Sequence, residues 1–129
     1  MKRWTAVLAI AWAAPAWADS DLPLDFGQAN RFTEQGGEAL YTHVCQACHM
    51  AGGKGATGAG TYPALAANPK LEAVGYSVAV IVHGHNGMPA LGSMMTDAQV
   101  ADVVNYVRTH FGNSYTDAVT PADVAAARR

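Results

Sequence analysis

Cys45-Gln46-Ala47-Cys48-His49 decides how the rest of this sequence is read. Two thiols three positions apart project from one helical turn, and an imidazole follows the second thiol directly. The chain has 129 residues and these are its two cysteines. A structural disulfide and a thioredoxin-like redox couple are both open to such a pair in an oxidising compartment. The redox couple requires a βαβ context that is absent here, and neither accounts for the histidine.

Outward from this stretch the pattern is helical. Upstream, Thr33 is placed to cap a helix with Glu34 and Gln35 in its first turn, and Leu40, Val44 and Ala47 fall on one apolar face. Gly36 and Gly37 weaken that helix, and mark either its entry loop or a point where another helix passes close by. Downstream, five glycines between positions 52 and 60, followed by Pro63, indicate a loop over residues 52–69. A modest helix is expected over residues 77–83, burying Val78, Ile81 and Val82. The clearest helix follows: Thr96 and Gln99 form a capping box, Val100, Val103, Val104, Val107 and Phe111 make a stripe, and Gly112 is placed to end it. Thr120-Pro121-Ala122-Asp123 repeats the capping signature and opens a short terminal helix. No strand pattern is visible. The expected fold class is all-α, one domain, with an apolar inventory too thin to fill its own centre.

The first eighteen residues stand apart. Lys2 and Arg3 precede an apolar run over residues 4–14, and Ala16-Trp17-Ala18 offers a small-x-small cleavage pattern before Asp19. The run is shorter than the roughly 20 apolar residues that span a bilayer, so a cleaved secretory signal over residues 1–18 is expected, and no membrane span thereafter. The remainder divides into a leader (19–32), a domain (33–112) and a C-terminal extension (113–129). Removing residues 1–18 leaves six basic against ten acidic side chains, a formal charge of −4. With Arg31, Lys54, Lys70, Arg108, Arg128 and Arg129 scattered, nucleic acid is not an expected partner.

C-x-x-C-H has a specific chemistry. Each thiol can add to one vinyl group of a haem, and the adjoining histidine is swung beneath the iron. The motif therefore predicts one covalently bound haem c, attached through Cys45 and Cys48, with His49 as proximal ligand. The haem is also the apolar body the core lacks. For the sixth ligand, Met88 in Gly87-Met88-Pro89 is the first candidate, because glycine permits close backbone approach and proline stiffens the loop. Met94 and Met95 are more simply core packing, and His83 and His85 are its competitors. Gly53-Lys54-Gly55-Ala56-Thr57-Gly58 matches a dinucleotide fingerprint, but no predicted strand precedes it.

Together these residues resemble the monohaem class I c-type cytochromes over residues 34–112. Gly37 and Tyr41 are similar to the family's glycine and aromatic pair on the first helix, and Tyr106 to the aromatic on the last. Pro63, in Tyr62-Pro63-Ala64-Leu65, is similar to the proline whose carbonyl accepts the other ring N–H of the haem histidine. The resemblance implies a small cytochrome c fold, Met88 as distal ligand, and Tyr62 and Leu65 packed on the haem. It extends to cytochrome domains that accept electrons from periplasmic dehydrogenases.

With two strong ligands the iron has no open position, so the expected role is one-electron transfer and not catalysis. The resemblance implies a periplasmic carrier whose donor is a flavo-, quino- or molybdo-dehydrogenase. Its acceptor is a membrane-linked cytochrome or oxidase of the respiratory chain. The alternative is a peroxidase-like or gas-binding haem protein, and either requires a vacant sixth site.

Overall fold

A glycine fixes how the two principal helical segments meet. In the computed structural model, which describes residues 30–129, a Cβ on Gly37 would lie 2.3 Å from the Asp102 carbonyl oxygen and 2.4 Å from Tyr106 Cβ. The first helix thus crosses the long one at backbone contact, the second of the two readings of Gly36-Gly37. The expected signal segment, and the leader up to residue 29, lie outside the described residues.

The helical rod that carries the cysteines comprises α1 (Gly37–Leu40), a π turn (Tyr41–Cys45) and α2 (Gln46–His49). It begins later than the Thr33 cap predicts. Gln99 Nε2 donates to the carbonyls of Phe32 and Glu34, both at 2.9 Å, and Phe32 N donates to Met94 O at 3.0 Å. These bonds hold residues 32–34 against the start of the long helix, and Gly36, at φ 82°, becomes the N-cap. The π turn also alters the expected face, since i→i+5 pairing inserts one residue into the register. Leu40 and Tyr41 are buried, Val44 is half-buried, and Ala47 is exposed.

The loop that follows contains a hairpin the sequence did not signal. β1 (Ala56–Thr57) pairs antiparallel with β2 (Thr61–Tyr62), Ala56 opposite Tyr62 and Thr57 opposite Thr61. Gly58 N donates to Gly60 O at 2.9 Å to close the turn. Two-residue strands are too short for alternation to register, so the fold is helix-rich with a small sheet, not strictly all-α. The dinucleotide-like stretch runs from a short 3-10 turn into this hairpin, the reverse of the strand-to-helix context that fingerprint needs.

A 3-10 turn (Pro69–Glu72) leads into α3 (Val74–His83), which starts three residues before the expected position and buries Val78 and Val82. α4 (Asp97–Thr109) opens on the predicted capping box, Gln99 N donating to Thr96 Oγ1 at 3.2 Å and Thr96 N to Gln99 Oε1 at 2.8 Å. Val100, Val103, Val104 and Val107 are all buried. The helix stops at Thr109. Phe111, at φ 58°, turns its ring back onto Tyr41, with centroids 4.7 Å apart.

α5 (Pro121–Ala127) has the capping box read at Thr120 and Asp123. The chain beyond residue 112 supplies part of the core: Val119 and Val124 are buried within it. Asn105 binds both backbone groups of Val119, donating to its carbonyl at 2.9 Å and accepting from its N–H at 2.8 Å. Arg108, one of the basic residues that looked scattered in the sequence, is wholly buried. It donates to the carbonyls of Leu71 (2.8 Å), Glu72 (3.1 Å) and Asp117 and to Asp117 Oδ1 (2.6 Å). A buried guanidinium with every arm engaged is the form in which an interior charge is tolerated.

Candidate haem-binding site

The cysteines sit where the rod ends. Cys45 closes the π turn half-buried, Cys48 is exposed on α2, and His49 is the buried last residue of α2. No disulfide joins the two cysteines. Burial pushes the Cys45 thiol up to about 11, with the neighbouring Cys48 adding in the same direction.

After His49 the chain turns sharply. Met50 adopts φ 64° and its carbonyl accepts from Tyr41 Oη at 2.7 Å, while Gly55 N donates to His49 O at 2.9 Å. The His49 ring Nδ1 lies 2.9 Å from Pro63 O. A carbonyl can only accept, so Nδ1 carries the hydrogen, and in the neutral ring Nε2 then holds the lone pair. This is the tautomer an imidazole needs to bind a metal through Nε2.

Two asparagines that the sequence reading passed over hold the segment after Pro63. Asn113 Nδ2 donates to Leu65 O and to Val107 O, both at 2.8 Å, and Asn113 Oδ1 accepts from Asn68 N at 3.0 Å. Asn68 Nδ2 donates to Ala64 O at 2.7 Å. The only sequence hint was an asparagine following Gly112 beyond the helix end. Pro63 is exposed, Leu65 half-buried, and Tyr62 is 43% exposed.

Met88 lies half-buried in the loop between α3 and α4. His85 and Met88 exchange backbone hydrogen bonds, both at 3.0 Å, across a turn in which Asn86 has φ 52°. A Cβ on Gly87 would meet no protein atom within 4 Å, which leaves room for the close approach expected of it. Gly84, at φ 74°, is crowded by the loop itself: a Cβ there would meet Met88 O at 2.7 Å and Ala90 N at 2.8 Å. Of the competing residues, His83 is engaged elsewhere, with Nε2 2.7 Å from Ala127 O. His85 is exposed, Met95 is buried in the core and Met94 is half-buried. His43 lies 3.5 Å from Glu34, and His110 stacks on Tyr106 with centroids 4.0 Å apart.

A helix-borne C-x-x-C-H whose imidazole is fixed through Nδ1, within a helix-rich domain, defines the class of c-type cytochromes. Residues 33–107 match the family described as cytochrome c oxidase, cbb3-type, subunit III, and the chain belongs to this c-type cytochrome family. It is 33% identical over 105 residues to an alcohol dehydrogenase (quinone) cytochrome c subunit of Gluconacetobacter polyoxogenes, covering 71% of this chain and 22% of that protein. It is 36% identical over 93 residues to a fructose dehydrogenase cytochrome subunit of Gluconobacter japonicus, covering 60% and 19%. It is also 36% identical over 116 residues to a cytochrome c6 of Thermosynechococcus vestitus, covering 82% and 89%. The chain thus spans about a fifth of each dehydrogenase subunit. Membership of the family carries with it a covalently bound haem c. The donor set fits that group: two thiols at attachment spacing, and one imidazole with Nε2 available. Among the described residues, no helix is long and apolar enough to cross a membrane.

Proposed function

We propose that this protein is a periplasmic one-electron carrier that takes electrons from a dehydrogenase and delivers them toward the respiratory chain. The 2.9 Å approach of His49 Nδ1 to Pro63 O supports this reading, because it leaves Nε2 of a buried imidazole free to take a metal. Cys45 and Cys48 would hold the haem through thioether bonds, each S–H adding across one vinyl group. His49 would be the proximal ligand and Met88 the distal one, with Tyr62 and Leu65 packed on the macrocycle. When bound, the haem supplies a one-electron couple.

The residues' part is to fix that couple and keep substrate off it. A thioether from Met88 closes the sixth position, which favours a carrier over an enzyme. The relatives named as cytochrome subunits of alcohol and fructose dehydrogenases point to a donor that oxidises alcohols or sugars. A membrane-linked cytochrome or oxidase is the acceptor, and residues 1–18 are the export signal.

Mixing the oxidised holoprotein with a substrate-reduced quinone-dependent alcohol dehydrogenase should reduce the haem within the mixing experiment. The haem should be six-coordinate and low-spin in both oxidation states. A high-spin ferrous form that binds carbon monoxide at once would replace this reading with a peroxidase-like or gas-binding one.

A further inference from the structure

The end of α5 grips both ends of the segment that carries Met88. At the near end, the ring of His83, the last residue of α3, meets the Ala127 carbonyl. At the far end, the Arg128 guanidinium donates from Nη1 to Gly92 O at 2.5 Å, from Nη2 to Met95 O at 2.9 Å, and from Nε to Asp97 Oδ1 at 2.6 Å. Gly92 is shaped to this contact. A Cβ there would stand 3.1 Å from Arg128 Nη1 and 2.7 Å from Val82 O, so the chain passes between α3 and the guanidinium only as glycine. Between the two grips, residues 84–91 are tied to α3 by Leu91 N donating to Ile81 O at 2.9 Å.

We propose that Arg128 is a positioning residue for the distal ligand: by clasping Gly92, Met95 and Asp97 it sets how often Met88 leaves the iron. This rests on the reading of Met88 as sixth ligand. Loops open with free energies far below that of global unfolding, and the opening cost is set by the few bonds that tether them. Arg128 supplies three such bonds at the loop's far end, one of them to a carboxylate, and charge-assisted bonds are the stronger kind. Losing them leaves α3 and α4 packed but frees the tether beyond Met88.

The test uses ferric holoprotein and imidazole, which binds only when Met88 is off. Apparent affinity for such a probe scales with the fraction of open molecules. Arg128→Ala should bind imidazole roughly tenfold more tightly than wild type, which is about 1.4 kcal/mol. Its sulfur-to-iron near-infrared band should vanish at a lower urea concentration than its far-ultraviolet helical signal. Arg128→Lys, with one point donor in place of a fork, should fall between the two. If Arg128→Ala does not accumulate, Arg128→Lys and Asp97→Asn supply the same comparison. A lower unfolding midpoint with imidazole affinity unchanged would make Arg128 merely structural and overturn the proposal. Met88→Ala separates the two readings. If it keeps the band, the ligand assignment and the clasp fall together. If it loses the band while the Arg128 variants bind imidazole as wild type does, the clasp alone falls.

Discussion

Gly55 is pressed flat against the backbone of Pro63. A Cβ on Gly55 would lie 2.8 Å from the Pro63 carbonyl carbon and 2.4 Å from Tyr62 O, and the residue sits at φ 65°. Gly55→Ala therefore faces both a disfavoured left-handed conformation and a backbone clash, and should cost more than about 1 kcal/mol. The displaced Pro63 carbonyl would release His49 Nδ1. Thermal melts should show the lost stability, and the yield of haem-loaded protein should fall. A variant with unchanged melting and loading would show that the Pro63 loop tolerates the shift.

The sixth ligand is tested by spectroscopy and potentiometry. A thioether favours ferrous iron, so Met88→Ala should lose the near-infrared band and lower the reduction potential by on the order of 200 mV. For one electron that is roughly 5 kcal/mol, at about 59 mV per tenfold in the equilibrium constant. Met94→Ala and Met95→Ala should keep the band, Met95→Ala losing about 2–5 kcal/mol of packing because its side chain is buried. Loss of the band in Met94→Ala and its survival in Met88→Ala would reassign the ligand. A spin-state change confined to His85→Ala would indicate two histidines.

Attachment is tested by the double variant Cys45→Ser/Cys48→Ser. It should not accumulate as a folded protein, since the domain loses the body that fills its centre and small domains hold little stability in reserve. A soluble, helical, haem-free product would show that the valine core of α3, α4 and α5 suffices alone.

Acid should weaken the attachment of the C-terminal segment. Hydrogen bonding from Arg108 holds the Asp117 carboxyl below its ordinary range, and bonds from Thr120 do the same for Asp123. A pKa depressed on folding gives stability that is complete above the unfolded value and is lost as pH falls through the folded one. Stability should thus decline from about pH 4 downward, the ordinary aspartate range. Asp117→Asn and Asp123→Asn should each flatten that slope in chemical denaturation series. Equal slopes in wild type and both variants would show that other carboxylates govern the acid limb.

Local signals in the sequence translated into structure where their causes were local. Both capping boxes form, because each needs only a hydroxyl and an acceptor three residues on. The valine stripe of α4 is buried for the same reason, a fixed period on one element. Thr33 failed as a cap because Gln99, more than sixty residues away, claims the neighbouring carbonyls. Arg108 is one scattered basic residue among several in the sequence, since its partners at Leu71, Glu72 and Asp117 are brought together only by the fold. At the site, the spacing of Cys45, Cys48 and His49 is contiguous and therefore legible. The glycines that carry the Pro63 and Met88 loops, Gly55 and Gly84, are indistinguishable by composition from their open neighbours Gly58 and Gly87.

The π turn before Cys45 sets a phase. Between Gly37, which must face α4, and the cysteines, the rod contains one residue more than an uninterrupted α-helix would use. Removing one exposed position there, such as Thr42, would let the turn relax to α geometry and leave Cys45, Cys48 and His49 on the same side of the helix axis, because the π turn already absorbs that residue. The crossing point and the attachment face would then keep their relative direction. That extra residue is taken up in the girth of the turn, whereas forcing the present number of residues into uninterrupted α geometry would swing the attachment face by about 100° about the helix axis.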